Sequence, residues 1–418
     1  MVLWAIAARN LTRHRRRTAV TLLALSLGLA LVTVARGFTN AQHALMIDGV
    51  VNADSGALVV HRRGYAQAVT QSPLRFTIED TANLRRRILM VEGVRGFAPR
   101  LRFAAQLSNP ESAPHAPGAS AWLSVTAIDP AVEDAVTPRR SRLFRQGTSL
   151  AQRGPGAFAL SESLAAALKP PFGETTPEAE RPALLANDAD GAPNGELVIP
   201  VGTFEPALPG DRKVALMALE QAQRLLRLEG RVSEYGIAVV DLAAAPQVRE
   251  ALQRELGPEY DVLAWSDQQP LLAELHRTQD RVFAGLSALF LLVVLFGAVN
   301  QLLMGVLERV REIGTLVALG LTRRQVATMF VFEGVALALV GAALGLGAGY
   351  AGTALLNAVG VDYTLAGTHT AARLDFQPGL RWVLASAALV VGCSGIASLW
   401  PARAAAQLNP VDALRGSA

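Results

Sequence analysis

The chain has 418 residues, enough for two or three domains; 51% of them are hydrophobic and 18% charged. With a mean hydropathy of +0.29, and with the apolar residues gathered into runs near the ~20 needed to cross a bilayer, an ordinary soluble protein is excluded. A net charge of +4, carried by arginines with Lys169 and Lys213 as the only lysines, gives no nucleic-acid signal, because the arginines cluster beside the apolar runs.

Residues 1–17 hold Arg9, Arg13, Arg15, Arg16 and Arg17, and residues 18–35 follow without a charge. A signal peptide shares the basic start, but its apolar part is typically ~7–15 residues and ends at a small-residue cleavage site. The longer run predicts a retained first transmembrane helix over 18–35 behind a cytoplasmic N-terminal segment. From 36 to 281 the composition becomes that of a water-exposed domain. The pieces 57–60, 122–128, 196–201 and 235–240 read as strands, and 81–90, 161–168, 214–228 and 247–256 as helices. Two stretches rich in turn-formers, 108–120 and 169–194, read as mobile surface excursions.

The remaining spans are expected at 282–304, 327–359 and 382–402. A short charged segment, 305–326, separates the second from the third, and a loop, 360–381, separates the third from the fourth. The fold class is therefore an α+β membrane protein: four transmembrane helices, with a large mixed α/β domain inserted between the first and second. Short cytoplasmic loops are enriched in Lys and Arg, a rule that long translocated domains escape. The arginines of 1–17, of 305–326 (Arg309, Arg311, Arg323, Arg324) and of the tail 403–418 (Arg403, Arg415) put these three segments and both termini in the cytoplasm. The domain 36–281 and the loop 360–381 are then periplasmic. In the third span Gly341, Gly345 and Gly349 recur every four residues, the small-residue spacing that lets helix backbones approach closely in lipid. Glu333, the one carboxylate of that span, is a functional candidate by default, although it stands near enough to the cytoplasmic end to reach the interface.

No Gly-Lys pair occurs, so a Walker A phosphate loop is excluded, and HExxH, Cys-x-x-Cys and Gly-x-Ser-x-Gly are absent as well. His43 and His61 stand in separate contexts that predict no metal site. The single cysteine, Cys393, lies inside an apolar run and says nothing of the redox compartment. No catalytic constellation is present, and the chain reads as a non-enzyme.

The segment Glu308-Arg309-Val310-Arg311-Glu312-Ile313-Gly314-Thr315-Leu316-Val317-Ala318-Leu319-Gly320, with Thr322-Arg323-Arg324-Gln325-Val326 after it, resembles the RxREIGxLxALGxxRRQI stretch of ABC-transporter permeases of the MacB/FtsX/lipoprotein-releasing family. The tail, with Pro401-Ala402-Arg403-Ala404-Ala405 and then Asn409-Pro410-Val411-Asp412-Ala413-Leu414-Arg415, is similar to that family's PARxAAxxxPxxALR ending. The opening, from Ala8-Arg9-Asn10-Leu11 to Arg17-Thr18, is similar to its ARRNLxRxxxRT start. Within the family, Ser55 to Tyr65 (SGALVVHRRGY) and Ile128-Asp129-Pro130 resemble the lipoprotein-releasing permeases.

The resemblance implies a multi-pass permease of the bacterial inner membrane that works as a dimer, with a second copy or a related permease. Two copies of a separate cytoplasmic ABC ATPase would bind ATP and Mg, leaving this chain without a cofactor of its own. It implies that 305–326 is the coupling helix, touching the ATPase through Glu308, Arg309, Arg311, Glu312, Ile313, Gly314, Leu319, Gly320, Arg323 and Arg324. Hydrolysis would move the periplasmic domain, in lipoprotein release or transfer; MacB-like efflux and FtsX-like signalling to a periplasmic hydrolase are the alternatives. Besides membrane lipids, a lipoprotein or a periplasmic adaptor is the further partner implied, and no nucleic acid.

Overall fold

The computed structural model describes residues 15–68, 73–147, 150, 157–173, 175–206, 213–268, 270–308, 310–318, 320–364 and 371–406. It divides into two compact units, residues 44–274 with 363–372, and residues 1–43 with 275–362 and 373–418.

The first unit is built on a mixed sheet of eleven strands among the described residues. In chain order these are β1 (Leu58–Arg62), β2 (Val94–Ser108), β3 (Ser120–Ile128), β4 (Phe144–Gly147), β5 (Ala157–Ser161) and β6 (Ala183–Asn187), followed by β7 (Pro193–Leu197), β8 (Ile199–Phe204), β9 (Val214–Ala218), β10 (Glu234–Val239) and β11 (Tyr260–Ala264). The spatial order is β11-β1-β10-β2-β3-β9-β5-β8-β4, and β6 pairs with both β2 and β7. The long β2 explains the architecture. Its residues Leu101, Phe103, Ala105 and Leu107 alternate into the main core, as period-two geometry requires. Helices Ala82–Met90, Leu219–Leu226 and Ala245–Leu256 contribute Ile88, Leu225 and Leu252 to the same core. A second cluster around Ala159, Phe204 and Leu216 fills the far end of the sheet.

Several sequence expectations change here. The helix expected over 214–228 is β9 followed directly by helix Leu219–Leu226. The strand expected over 196–201 divides between β7 and β8, which meet at the buried Val198. The stretch 169–194 is not all loop, since it contains β6 and the start of β7. The stretch 108–120 is tied down: Asn109 Nδ2 donates to the carbonyls of Ala116 and Leu168, and Ser112 bonds the carbonyl of Ala179 in the other excursion.

Three helices among the described residues are long and apolar enough to cross a membrane: Thr18–Asp54, which includes a final π-helical turn, Arg323–Val359 and Leu380–Ala397. The expected second span, 282–304, lies inside the 39-residue helix Pro270–Glu308. The loop expected over 360–381 carries a two-stranded pair, Asp362–Thr364 with Ala371–Arg373.

Gly341, Gly345 and Gly349 of helix Arg323–Val359 face the first helix. A Cβ on Gly341 would lie 2.8 Å from Leu25 Cβ, one on Gly345 2.8 Å from the Ser26 carbonyl oxygen, and one on Gly349 2.7 Å from Thr33 Cβ. Those distances are shorter than a carbon contact tolerates, so only glycine permits this approach of two backbones.

Candidate functional site

The segment between helices Pro270–Glu308 and Arg323–Val359 folds as a short helix, Val310–Ala318, a turn, and the start of the next helix. Its apolar positions recur at helical spacing. Val306 and Ile313 are buried in one cluster with Val326, Met329, Phe330 and Ala402, and Val317 packs on its edge. Gly314 is buried beside Ile313. The turn needs Gly320, whose φ is +100°, a region that L side chains rarely adopt. Thr322 then opens the next helix with a reciprocal cap. Gln325 N donates to Thr322 Oγ1 at 3.3 Å, and Thr322 N donates to Gln325 Oε1 at 2.8 Å.

Burial of that face leaves a charged outer face. Glu308, Arg311, Glu312, Gly320, Arg323 and Arg324 are all exposed. Arg309 and Leu319, also expected here, lie outside the described residues. This surface presents carboxylates and guanidinium groups outward from the segment. Glu333 is buried, at 4% exposure, within helix Arg323–Val359. Among the described residues no cluster of three His, Cys, Asp or Glu has the arrangement to hold a metal ion.

A second constellation was not foreseen from the sequence. The π-turn Val50–Asp54 ends the first long helix, and two buried arginines take up its terminal carbonyls. Arg140 Nε donates to Ala53 O at 3.1 Å and its Nη2 to Asp54 O, while Arg100 Nη1 donates to Ser55 O at 2.9 Å. Both arginines meet Glu133. Arg100 forms a bidentate pair, Nη2 to Oε1 at 2.6 Å and Nε to Oε2 at 3.1 Å, and Arg140 Nη1 lies 3.2 Å from Oε1. Thr137 adds a hydroxyl donor to Oε1 at 2.6 Å. Arg100 is wholly buried and lies over Gly236, where a Cβ would come within 2.8 Å of the guanidinium carbon.

Burial alone would push the Glu133 carboxyl up, but Arg100 and Arg140 outweigh it and hold it at about 2. Burial pulls Arg140 down to about 10, against the attraction of Glu133, so it stays charged at neutral pH. Glu234 extends the cluster, with Arg102 Nε at 2.9 Å and His61 Nε2 at 3.8 Å. Burial raises the Glu234 carboxyl, yet Arg102, His61 and Arg100 leave it below the usual range. Burial lowers the His61 pKa despite Glu234. No local signal finds this cluster, because Arg100 and Glu133 are 33 positions apart and their pairing is created by the sheet.

Residues 284–410 match the FtsX-like permease C-terminal domain. Among individual relatives, the chain is similar to the ABC transporter permease YknZ of Bacillus subtilis, 33% identical over 156 residues, which are 37% of this chain and 36% of that protein. It is also similar to the macrolide export ATP-binding/permease protein MacB of Sodalis glossinidius, 30% identical over 201 residues, 46% of this chain and 29% of that one. The chain thus spans about a third of the length of these curated relatives. The solved periplasmic region of MacB from Actinobacillus actinomycetemcomitans overlaps 54% of this chain and 95% of its own at 11% identity, with a TM-score of 0.34.

Proposed function

We propose that this chain is the permease subunit of an ABC transporter, converting ATP hydrolysis on a separate cytoplasmic ATPase into motion of its external domain. The observation that carries the reading is the exposed charged face of 308–324 on a segment whose apolar face is buried in its own unit. In this reading helix Pro270–Glu308 supplies a fourth span, both termini and the 308–324 segment face the cytoplasm of a bacterial inner membrane, and the sheet unit lies in the periplasm. Two permease chains, identical or related, meet two ATPase copies, which bind the ATP and Mg.

For cargo, we propose the release or transfer of an acylated protein, on the likeness of Ser55–Tyr65 and Ile128–Pro130 to lipoprotein-releasing permeases. The MacB relatives, named for macrolide export, favour a second reading as an efflux permease. Reversing Glu308 and Glu312 to arginine tests the coupling role. Stimulated ATPase activity of the assembled complex falls at least fivefold while the permease still folds and inserts, and unchanged stimulation removes the proposal. Copurification from membranes separates the cargo readings: an acylated protein trapped without ATP supports release, and an adaptor with an outer-membrane channel supports efflux.

A further inference from the structure

An apolar cavity of about 290 Å³ opens between the first helix, helix Pro270–Glu308 and helix Leu380–Ala397. Its walls include Leu29, Val32, Ala288 and Leu389, and no charged side chain lines it. Trp382 lines it too, at the start of its helix, and carries the Arg36 guanidinium 5.5 Å from its ring centroid. A cation stacked on an indole at the edge of an apolar slot is the arrangement expected at a membrane interface, where the ring is half wet and half dry.

Arg36 is poorly satisfied for its position. Its Nη1 donates to Asp280 Oδ1 at 2.6 Å, its Nε is buried with no acceptor among the described residues, and the side chain is 21% exposed. A guanidinium has five N–H donors, and among the described residues this one directs one of them to a protein oxygen. Phosphate oxygens are the acceptors that match a planar guanidinium fork, and an uncharged slot beside it suits a hydrocarbon chain.

We propose that this cavity holds one acyl chain of an anionic membrane phospholipid, with the lipid phosphate accepting from Arg36. The proposal rests on the reading of these helices as membrane spans, since the surrounding lipid is what supplies the occupant. A bound lipid would tie three helices together through Arg36, Asp280 and Trp382 at one level.

The test uses the full chain, extracted in mild detergent with its ATPase and examined by native mass spectrometry after exchange into phosphatidylglycerol or phosphatidylcholine. The expected result is retained phosphatidylglycerol through delipidation, at least fivefold over phosphatidylcholine. Arg36→Gln lowers that preference to below twofold, and Ala288→Trp, which fills the slot, removes retention of both lipids. Asp280→Asn, which removes the competing negative charge while keeping an acceptor for Nη1, keeps or raises the preference and shows that a variant at this level still folds. Equal retention of the two lipids by the wild type, wild-type retention by both Arg36→Gln and Ala288→Trp, or an acylated protein as the retained species overturns the proposal. Recovery of the chain from the soluble fraction would instead remove the membrane reading and the proposal with it; membrane-bound protein without lipid preference removes the proposal alone.

Discussion

Replacing Glu133 leaves Arg100 and Arg140 buried, at 0% and 6% exposure, around a missing counter-charge. Breaking a buried pair from one side costs roughly 3–5 kcal/mol, because the orphaned charge stays desolvated. The same interaction makes stability depend on pH. The folded carboxyl sits at about 2 against an ordinary 4.5, so its stabilisation is fully present above pH 4.5 and is lost as pH falls toward 2. At ~1.4 kcal/mol per pKa unit this amounts to about 3 kcal/mol, in line with the mutational range. Glu133→Gln should therefore lower the stability of the sheet unit by about 3 kcal/mol at pH 7 and remove most of the acid dependence between pH 4.5 and 2. The assay is hydrogen exchange of β1, β2 and β10 in the full chain in detergent, from pH 3 to 8. A variant within 0.5 kcal/mol of wild type across that range would refute the account of Glu133 as the counter-charge that makes the two arginines tolerable.

Gly345→Ala places a methyl 2.8 Å from a carbonyl oxygen and 2.9 Å from Leu29 Cβ, so thermal stability in detergent should drop by ~1–3 kcal/mol from overpacking. Gly347→Ala, on the same helix with nothing within 4 Å of the added carbon, should be neutral in the same melt. Gly320→Ala meets no neighbour but must hold φ near +100°; the strain, of order 1–3 kcal/mol, should reduce ATPase stimulation while the sheet unit's exchange protection stays unchanged. His61 has its pKa lowered by burial, so the folded state resists its protonation and stability should fall as pH drops below 6.5; an imidazole NMR titration with a midpoint at or above 6.5 would contradict this.

What the sequence revealed divides according to whether the signal is local. Strands β1, β3 and β10 showed themselves because each is a short β-branched or alternating run between turn-formers. The segment 214–228 misled because β9 is buried and apolar and no breaker separates it from the helix at Leu219, so the helical period runs backward through a strand that only its neighbours on the sheet define. Strand β6 was hidden for the opposite reason: Leu185 and Asn187 are exposed, and a five-residue strand amid prolines and acids carries too little alternation to be recognised.

The same contrast governs the two constellations of charge. Glu308, Arg311 and Glu312 are close neighbours in sequence, and the amphipathic spacing of their segment is enough to separate Ile313 inside from the charges outside. Arg100, Glu133 and Arg140 acquire meaning only when β2 and helix Pro130–Val136 are brought to the end of the first long helix. A buried charge reads in sequence like any surface charge, so such a cluster leaves no mark there. Its partners disclose it in space: Gly236 has no room for a Cβ under the guanidinium, Thr137 turns its hydroxyl inward, and the carbonyls of Ala53, Asp54 and Ser55 accept from the two arginines. The carbonyls at that helix end accept from side chains distant in sequence, so loss of Glu133 would release the helix end as well as destabilise the sheet.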